Sequence, residues 1–323
     1  MEKEGKIMKK RIVETLFLIL LSTFFTTKIK ALELDTNGYY LNNNGIRISG
    51  EELNNLKNMG FTDREIIGMQ QDEFYDNRNL KGEIVAQTTK YYKTTTIYNV
   101  TDAYMNLNVL SPRTTTIEIS LDEYESENNI QDIVILGNSN GYTETNYKKM
   151  TTSIIKNGNY YRFKNDLVWK KMPSTRSYDL QGIGIDSTVS GVNTSAVFKS
   201  IATIDDLTNS SCYLETNTTC TWKKRPTGYA LSFKLPSDGI TKKVIGLSSH
   251  MYFDVQKLTN TTIKTLNAYG DYKHAQKSVS TTVNNSFSIG TGGISFDIGV
   301  SSSIVESYDS MSTAQATWSG LSW

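Results

Sequence analysis

One short run of this sequence has the spacing of a hydrolase nucleophile. Residues 137–141 read GNSNG, which matches the G-x-S-x-G pattern, and the apolar residues 133–136 precede them. In that chemistry a helix must follow the strand, so that Ser139 projects towards a later histidine. The residues that follow are polar and have no helical apolar face. We interpret the run as a hairpin loop and keep a secreted ester hydrolase, using His250 or His274, as an alternative.

Two pairs of acidic residues could serve glycan hydrolysis, which needs two carboxylates across a cleft. Glu123 with Glu125, or Asp205 with Asp206, would supply them. Adjacent acids are more often solvated turn charges. No H-E-x-x-H, P-loop, dinucleotide fingerprint or Cys–His pair occurs in the sequence. We therefore predict a non-catalytic protein without metal or cofactor, with a glycan hydrolase as an alternative.

Cys212 and Cys220 are the two cysteines of the chain. In an exported protein they predict a disulfide that closes a hairpin-sized loop. Two thiols without a nearby histidine or a second cysteine pair cannot complete a zinc site. For so short a loop the chain-entropy model gives about 2.5 kcal/mol, so the bond would act as a local staple.

A Trp-Lys-Lys motif occurs twice and provides the candidate surface-binding residues Trp169, Lys170, Lys171, Trp222, Lys223 and Lys224. One interpretation is a cation-and-aromatic patch for an acidic glycan or wall polymer. The other is structural, with each Trp packed inward and the lysines protecting a sheet edge from aggregation. Both interpretations remain open, and the repetition would also fit a duplicated β unit.

Near the C-terminus, apolar residues alternate with small polar ones around a glycine turn. The candidate membrane-hairpin residues are Phe287, Ile289, Ile294, Phe296, Ile298 and Val300. This pattern is similar to the insertion hairpins of β-pore-forming toxins, in which one face meets lipid and the other meets water. Any half-buried hairpin alternates in the same way. A membrane-active β-pore-forming protein that uses residues 277–304 is therefore a further alternative.

The N-terminal residues predict a secretory signal peptide. Lys9, Lys10 and Arg11 precede the apolar run 16–25, and the small residue Ala31 follows a short polar stretch. This order of basic, apolar and small residues is typical of a cleaved leader. The apolar core is shorter than the roughly 20 residues that a spanning helix needs. We expect cleavage near Ala31 and a secreted, extracellular product.

Composition and periodicity favour strands in most of the remaining chain. Nineteen tyrosines and abundant threonine suit pleated, half-exposed surfaces. From Glu83 onward the apolar period is two, which predicts a mainly β chain with an antiparallel β-sandwich or barrel-like body over residues 83–323, as one body or two packed β units. The 34 basic and 33 acidic residues leave a net charge of +1. This balance provides no field that would recruit nucleic acid.

Residues 32–82 contain an irregular start and the helical signals of the chain. Ser49 with Glu52, and Thr62 with Glu65, each form the pattern of a capping box at a helix start. The sequence therefore predicts a small N-terminal helical hairpin. Its apolar faces would pack on each other or dock on the β body.

Residues 169–179, and the helix pair before residues 88–93, resemble poorly characterised exported proteins of Gram-positive bacteria. The resemblance covers most of the mature chain, and it implies export without implying a mechanism. The sequence thus predicts a secreted protein that binds a cell-surface polymer or an extracellular protein. Nucleic acid is not an expected partner.

Overall fold

The computed structural model describes residues 32–99, 113–127, 134–135, 141–206, 209–215, 220–258, 260–277, 287–289, 298–300, 308–309, 311–321 and 323. The predicted signal peptide and Ser139 lie outside these ranges. Among the residues described, no helix combines the length and apolar character needed to cross a bilayer.

The helices are α1 (Gly50–Asn58), α2 (Asp63–Gly68), α3 (Gln71–Asn77) and α4 (Leu121–Ser126). The strands of the first half are β1 (Glu33–Leu34), β2 (Tyr40–Leu41), β3 (Arg47–Ile48), β4 (Glu83–Asn99), β5 (Arg113–Ile119), β6 (Val134–Ile135), β7 (Gly141–Asn157), β8 (Tyr160–Trp169) and β9 (Tyr178–Ile185). Those of the second half are β10 (Val189–Gly191), β11 (Val197–Asp206), β12 (Asn209–Glu215), β13 (Cys220–Arg225), β14 (Gly228–Lys234), β15 (Lys242–Lys257), β16 (Thr265–Lys273), β17 (Phe287–Ile289), β18 (Ile298–Val300) and β19 (Ala314–Ser319).

Two antiparallel sheets face each other and enclose the main core. The large sheet has the order β12-β11-β15-β8-β7-β4-β5, with β10 beside β15 and β6 beside β7. The small sheet has the order β13-β14-β9-β16-β19. The described residues also form two short sheets, β1-β2-β3 and β17-β18. The predicted mainly β fold with an antiparallel body is confirmed.

The core follows from the two-residue period of the strands. In β8, the side chains of Phe163, Leu167 and Trp169 point towards the small sheet and are fully buried. Phe253 of β15 and Tyr229 of β14 meet across the core with ring centroids 4.4 Å apart. Truncating one such aromatic residue to Ala would cost about 3–5 kcal/mol, because both the burial and the packing are lost.

Both predicted capping boxes are present. The Ser49 hydroxyl accepts from the Glu52 N–H at 3.2 Å, while the Glu52 carboxylate accepts from the Ser49 N–H at 2.8 Å. Thr62 and Glu65 make the equivalent pair at the start of α2. Gly60 ends the first helix in the left-handed region, with φ of +80°. The predicted helical hairpin is therefore confirmed, with α3 as a third short helix.

The helices dock on the outer face of the large sheet. Leu56, Met59 and Ile66 form a buried apolar cluster with Ile155 of β7 and Tyr252 of β15. Of the two packing arrangements that the sequence left open, the structure contains the docked one. The large sheet is consequently covered on both faces along its central strands.

Two groups of strand boundaries differ from the sequence prediction. The two-residue period predicts separate strands over residues 160–163 and 168–171, but the structure has the one continuous strand β8, because the charged residues between them lie against the helices. The same period predicts one strand over residues 212–221, whereas these residues divide between β12 and β13 in different sheets. Helix α4 was not predicted, although Ser120 caps it by accepting from the Glu123 N–H at 3.1 Å.

Candidate functional site

A layer of ionisable side chains lies between the helices and the large sheet. Every member is buried, and we call the set Glu65, Glu73, Lys164, Asp166 and His250 the charge layer. Strand β8 supplies the lysine and the aspartate from alternate positions, β15 supplies the histidine, and α2 and α3 supply one glutamate each. The layer therefore joins the helical segment to the β body through charges rather than apolar contacts alone.

Lys164 lies at the centre of the charge layer. Its Nζ is 3.2 Å from each carboxylate oxygen of Glu65 and donates to Asp166 Oδ1. His250 Nε2 lies 2.8 Å from Glu73 Oε1. His250 Nδ1 lies 2.9 Å from Glu65 Oε1 without hydrogen-bond alignment. Each buried cation thus has at least one carboxylate partner, as burial requires.

The pKa values in the charge layer are shifted in opposite directions, upward for His250 and Asp166 and downward for Glu65. Burial disfavours the charged form of His250, but the carboxylates of Glu73 and Glu65 outweigh it and raise its pKa to about 10. Burial and the neighbouring Glu65 charge raise the pKa of Asp166 to about 8. For Glu65, Lys164 and His250 overcome the effect of burial and hold the pKa well below its usual range. The layer therefore retains protons that free side chains would release.

Three members of the charge layer have the composition of a metal site. Ligand atoms of Glu65, Asp166 and His250 lie within 4.8 Å of one another. Lys164 makes hydrogen bonds to both carboxylates, so its ammonium supplies the positive charge that a divalent ion would bring. The lysine thereby makes this group a buried ion cluster, while the expected absence of a metal stays a prediction.

A second ionisable cluster lies in the interior between the sheets. Lys148 of β7 contacts Asp309 Oδ2, and both side chains are fully buried. The Lys148 Nζ lies 4.8 Å from the centre of the Trp169 ring. The other oxygen, Asp309 Oδ1, accepts from the backbone N–H of His274 at 2.8 Å. The pair is thus enclosed by an indole ring and by backbone.

Asp179 of β9 extends this interior cluster. It lies 3.0 Å from His274 Nδ1 and accepts a hydrogen bond from the Tyr272 hydroxyl. That hydroxyl in turn accepts from Trp169 Nε1 at 3.0 Å. Burial and the charge of Asp179 raise the pKa of Tyr272 well above its usual value. The phenol therefore remains a hydrogen-bond donor to the carboxylate.

A buried polar network also crosses the middle of the sandwich. Asn165 Nδ2 donates to Thr152 Oγ1 at 3.1 Å, and Gln181 Nε2 donates to Asn165 Oδ1 at 2.9 Å. Ser249 Oγ donates to Gln181 Oε1 at 2.7 Å. Gly270 faces this network, where a Cβ would lie 1.9 Å from Asn165 Nδ2. The network needs the glycine because no other residue leaves room.

The first Trp-Lys-Lys motif does not form a surface patch. Trp169 is fully buried, and Lys171 is 8% exposed. Lys170 is partly buried and donates to the backbone carbonyl of Tyr124. The surface prediction is wrong for Trp169 and Lys171, because the end of β8 turns the indole towards the small sheet. Of the two interpretations of the motif, inward packing of the Trp applies here.

The second Trp-Lys-Lys motif lies on β13, the edge strand of the small sheet. Trp222, Lys223 and Lys224 are each partly exposed. The Lys224 Nζ lies 5.3 Å from the Trp222 ring centre and 5.5 Å from that of Tyr229. Burial lowers the pKa of Lys224. A cation-and-aromatic arrangement is therefore present at this edge. The two motifs are not equivalent, because Trp169 is the last residue of β8 whereas Trp222 lies inside β13.

The C-terminal hairpin is present over its described part. Strands β17 and β18 pair antiparallel, with Phe287 opposite Val300 and Ile289 opposite Ile298. Ile298 is fully buried, and its N–H donates to Asp271 Oδ2 at 2.8 Å. Ile294 and Phe296 lie outside the described residues. Contact of Ile298 with lipid would require the hairpin to leave the body, so membrane insertion stays a prediction.

The other candidate groups can be placed only in part. His250 and His274 are buried beside carboxylates, while Ser139 lies outside the residues described. Glu123 lies on α4 and pairs with Lys93 at 3.3 Å. Cysteines 212 and 220 belong to β12 and β13, and the side chain of the first is not among those described. The disulfide stays a prediction.

Comparison with known proteins finds weak similarity to surface proteins of Gram-positive bacteria. No protein-family model and no curated protein matches the chain. The full-length major pilin SpaD from Corynebacterium diphtheriae is 8% identical, with a TM-score of 0.22 over 59% of this chain and 56% of the pilin. The T6 backbone pilin of Streptococcus pyogenes serotype M6 is 8% identical, with a TM-score of 0.27 over 72% of this chain and 64% of that one. The collagen adhesin of S. aureus is 8% identical, with a TM-score of 0.22 over 57% and 74%. Similarity at this level carries no argument about function.

Proposed function

We propose that this chain is a secreted, non-catalytic protein that binds a surface polymer or an extracellular protein noncovalently. The observation that carries the proposal is the arrangement of Trp222, Lys223 and Lys224 on the edge strand β13, which we call the Trp222 patch. These side chains are partly exposed, and the Lys224 ammonium lies close to two aromatic rings. An indole beside cations suits an acidic polysaccharide, since the ring stacks on sugar faces while the cations meet carboxylate or phosphate.

The Trp222 patch is held in place by its own contacts. The Lys224 Nζ donates to the Asn193 carbonyl at 2.6 Å, and the Tyr229 hydroxyl donates to the Gly191 carbonyl at 2.6 Å. A ligand would therefore meet side chains that have already lost part of their conformational freedom, which lowers the entropic cost of binding. This preorganisation supports binding more than it supports a merely protective role.

The location of the histidines also supports a binding role. His250 lies beneath the helices and His274 lies between the sheets, and each has a carboxylate neighbour. Proton transfer to a substrate would require a histidine within hydrogen-bond reach of it. A ligand at the outer surface could not approach either residue in this fold.

We further propose that three segments of the chain have different roles. Residues 1–31 direct export and are removed, residues 32–82 form a module that covers the large sheet, and residues 83–323 form the β domain that presents the Trp222 patch. The helical module supports this division through its contacts with β8 and β15, since it stabilises the sheet from the face opposite the core.

Export and binding can be tested with the same purified protein. We expect the processed chain in the culture medium, starting near residue 32, and we expect it to sediment with isolated cell-wall polymer or with an immobilised acidic polysaccharide. The double variant Trp222→Ala/Lys224→Ala should lose most of this sedimentation. Trp318→Ala, at a partly exposed indole on the opposite edge strand β19, is the matched control and should sediment normally.

Two outcomes would reject the proposal. If the Trp222→Ala/Lys224→Ala variant sediments as much as Trp318→Ala, the Trp222 patch is not the binding site. If the chain is found intact and unprocessed in the cytosol, it is not exported. Release of dye from liposomes by the pure protein would instead favour the membrane-active alternative.

A further inference from the structure

A buried amine meets a buried carboxyl group in the interior of the sandwich. Lys148 and Asp309 are 161 residues apart in sequence, yet their side chains are in contact and neither is exposed to solvent. Removing both charges from water is costly, so a reaction that converts the charged pair into one neutral amide is favoured in such an interior. The neutral amine is a nucleophile, and the neutral acid is an electrophile with a leaving hydroxyl.

The surroundings hold the two groups in one arrangement. The Trp169 ring lies against the Lys148 amine at 4.8 Å. Asp309 is fixed on both sides by His274, since its N–H donates to the His274 carbonyl at 2.9 Å and its Oδ1 accepts from the His274 N–H. The neighbouring Tyr308 pairs with Ala275 as an isolated bridge. Reactants held in contact by a rigid frame need little further entropy loss to react.

We propose that Lys148 and Asp309 join to form an intramolecular isopeptide bond that links β7 to the C-terminal segment. The Lys148 ammonium first passes a proton to Asp309 Oδ2, which leaves an amine and a carboxylic acid. The Nζ lone pair then attacks Cγ, and the C=O electron pair moves onto Oδ1, where the His274 N–H stabilises the developing oxyanion. A second proton moves from Nζ to the Oδ2 hydroxyl, the C–O bond breaks, and one water leaves. The product is a neutral secondary amide.

Asp179 acts in this scheme as a positioning residue. It accepts from the Ala275 N–H at 3.1 Å and lies 3.0 Å from the His274 ring nitrogen, so it fixes the backbone segment that presents the oxyanion donor. We expect Asp179→Asn to form the bond more slowly while retaining the fold. A purely structural role would change stability without changing the rate of bond formation.

The charge layer contains a contrasting contact between Lys164 and Asp166. There the carboxylates of Asp166 and Glu65 outweigh burial and raise the pKa of the lysine, which keeps its amine protonated. The two residues also lie two positions apart on one strand, so a bond would close only a very small loop. We therefore expect no amide at this second lysine–aspartate contact, which makes it an internal control.

Mass spectrometry of the purified full-length secreted protein tests the bond. After reduction of the predicted disulfide, we expect the intact mass to be lower than the mass of the processed sequence by one water. A tryptic digest should contain a branched peptide in which Lys148 is joined to the peptide of Asp309, with no cleavage after Lys148. Lys148→Met and Asp309→Ala should each restore the full mass and the linear peptides, whereas Lys164→Met should keep the deficit.

The wild-type digest decides the question even where a variant does not fold. Linear peptides that end at Lys148, together with the full sequence mass, would overturn the proposal. A mass deficit that survives Lys148→Met would place the missing water elsewhere and would also overturn it. The test does not depend on ligand binding, so it is independent of the function proposed above.

Discussion

At the residue scale, His250 and Asp166 give the charge layer its own pH dependence. The folded pKa values, about 10 and about 8, lie above the ordinary values of 6.5 and 3.8. The folded chain therefore keeps protons that the unfolded chain releases, and stability falls as pH rises. The loss runs from about pH 4 to 8 for Asp166 and from about pH 6.5 to 10 for His250. Glu65 acts in the opposite direction, since its lowered pKa makes stability fall in acid.

We predict that the free energy of unfolding decreases by on the order of a few kcal/mol between about pH 7 and about pH 10. Urea unfolding at a series of pH values would measure it, and amide exchange would show α2 and α3 opening first. His250→Gln should flatten this dependence, because its side chain does not titrate. An unchanged slope in that variant would refute the role of the histidine.

Gly270 offers a second test at the same scale. An added Cβ would lie 1.9 Å from Asn165 Nδ2 and 2.0 Å from Thr152 Oγ1, within a fully hydrogen-bonded network. We predict that Gly270→Ala lowers the free energy of unfolding by about 1–3 kcal/mol, because the buried network must shift. Chemical denaturation would measure the change. Gly50→Ala is the matched control, since no atom lies within 4 Å of its Cβ position and a helix favours Ala. A neutral result at Gly270 would contradict the packing argument.

At the element scale, the short helices depend on their caps. Helix α2 has six residues, too few to be stable without a cap and tertiary contacts. We predict that Thr62→Ala costs about 1 kcal/mol, because the Glu65 N–H loses its acceptor. Faster amide exchange over residues 63–68 would report it. Thr62→Ser should behave like the wild type, and equal exchange in the Ala variant would mean that docking alone holds the helix.

Strand β8 explains why the fold could be predicted from sequence while the charge layer could not. Its alternation of apolar and charged residues is the pattern of a strand with one solvated face. That pattern predicted strands at both ends of β8 but not the charged middle that joins them, whereas the capping boxes correctly predicted the helices. The charged face is buried only because the helices cover it, which no local pattern encodes. Lys164 and Asp166 therefore read as ordinary surface charges.

At the scale of the whole molecule, the interior cluster could not be predicted either, because no local pattern encodes which distant segments meet. Lys148 and Asp309 are brought together only when β7 and the C-terminal segment meet across the sandwich. For Trp169 the error had the opposite sign, because the repeated Trp-Lys-Lys motif suggested a surface residue whereas the indole is buried. Periodicity describes which side of a strand a residue occupies. It does not describe what covers that side.

The proposed disulfide and the proposed amide close loops of very different length, and a reductant distinguishes them because it breaks only the disulfide. A Cys212–Cys220 bond would tie β12, the edge of the large sheet, to β13, the edge of the small sheet. Its short loop predicts a loss of about 2.5 kcal/mol on reduction. The amide between Lys148 and Asp309 would close a far longer loop and resist reduction, with an entropic effect of about 5 kcal/mol in the same model.

We therefore predict that loss of the disulfide and loss of the amide each lower the Tm, and that the two decreases are independent of each other. Reductant should lower the Tm of the wild type and of Lys148→Met by a similar amount, and it should leave Cys212→Ser/Cys220→Ser unchanged. Lys148→Met should unfold at a lower temperature than the wild type whether or not reductant is present. Near-additivity is expected because the disulfide loop, residues 212–220, lies inside the much longer amide loop, residues 148–309, and shortens it only slightly. A reductant effect that survives in the double serine variant would contradict the disulfide.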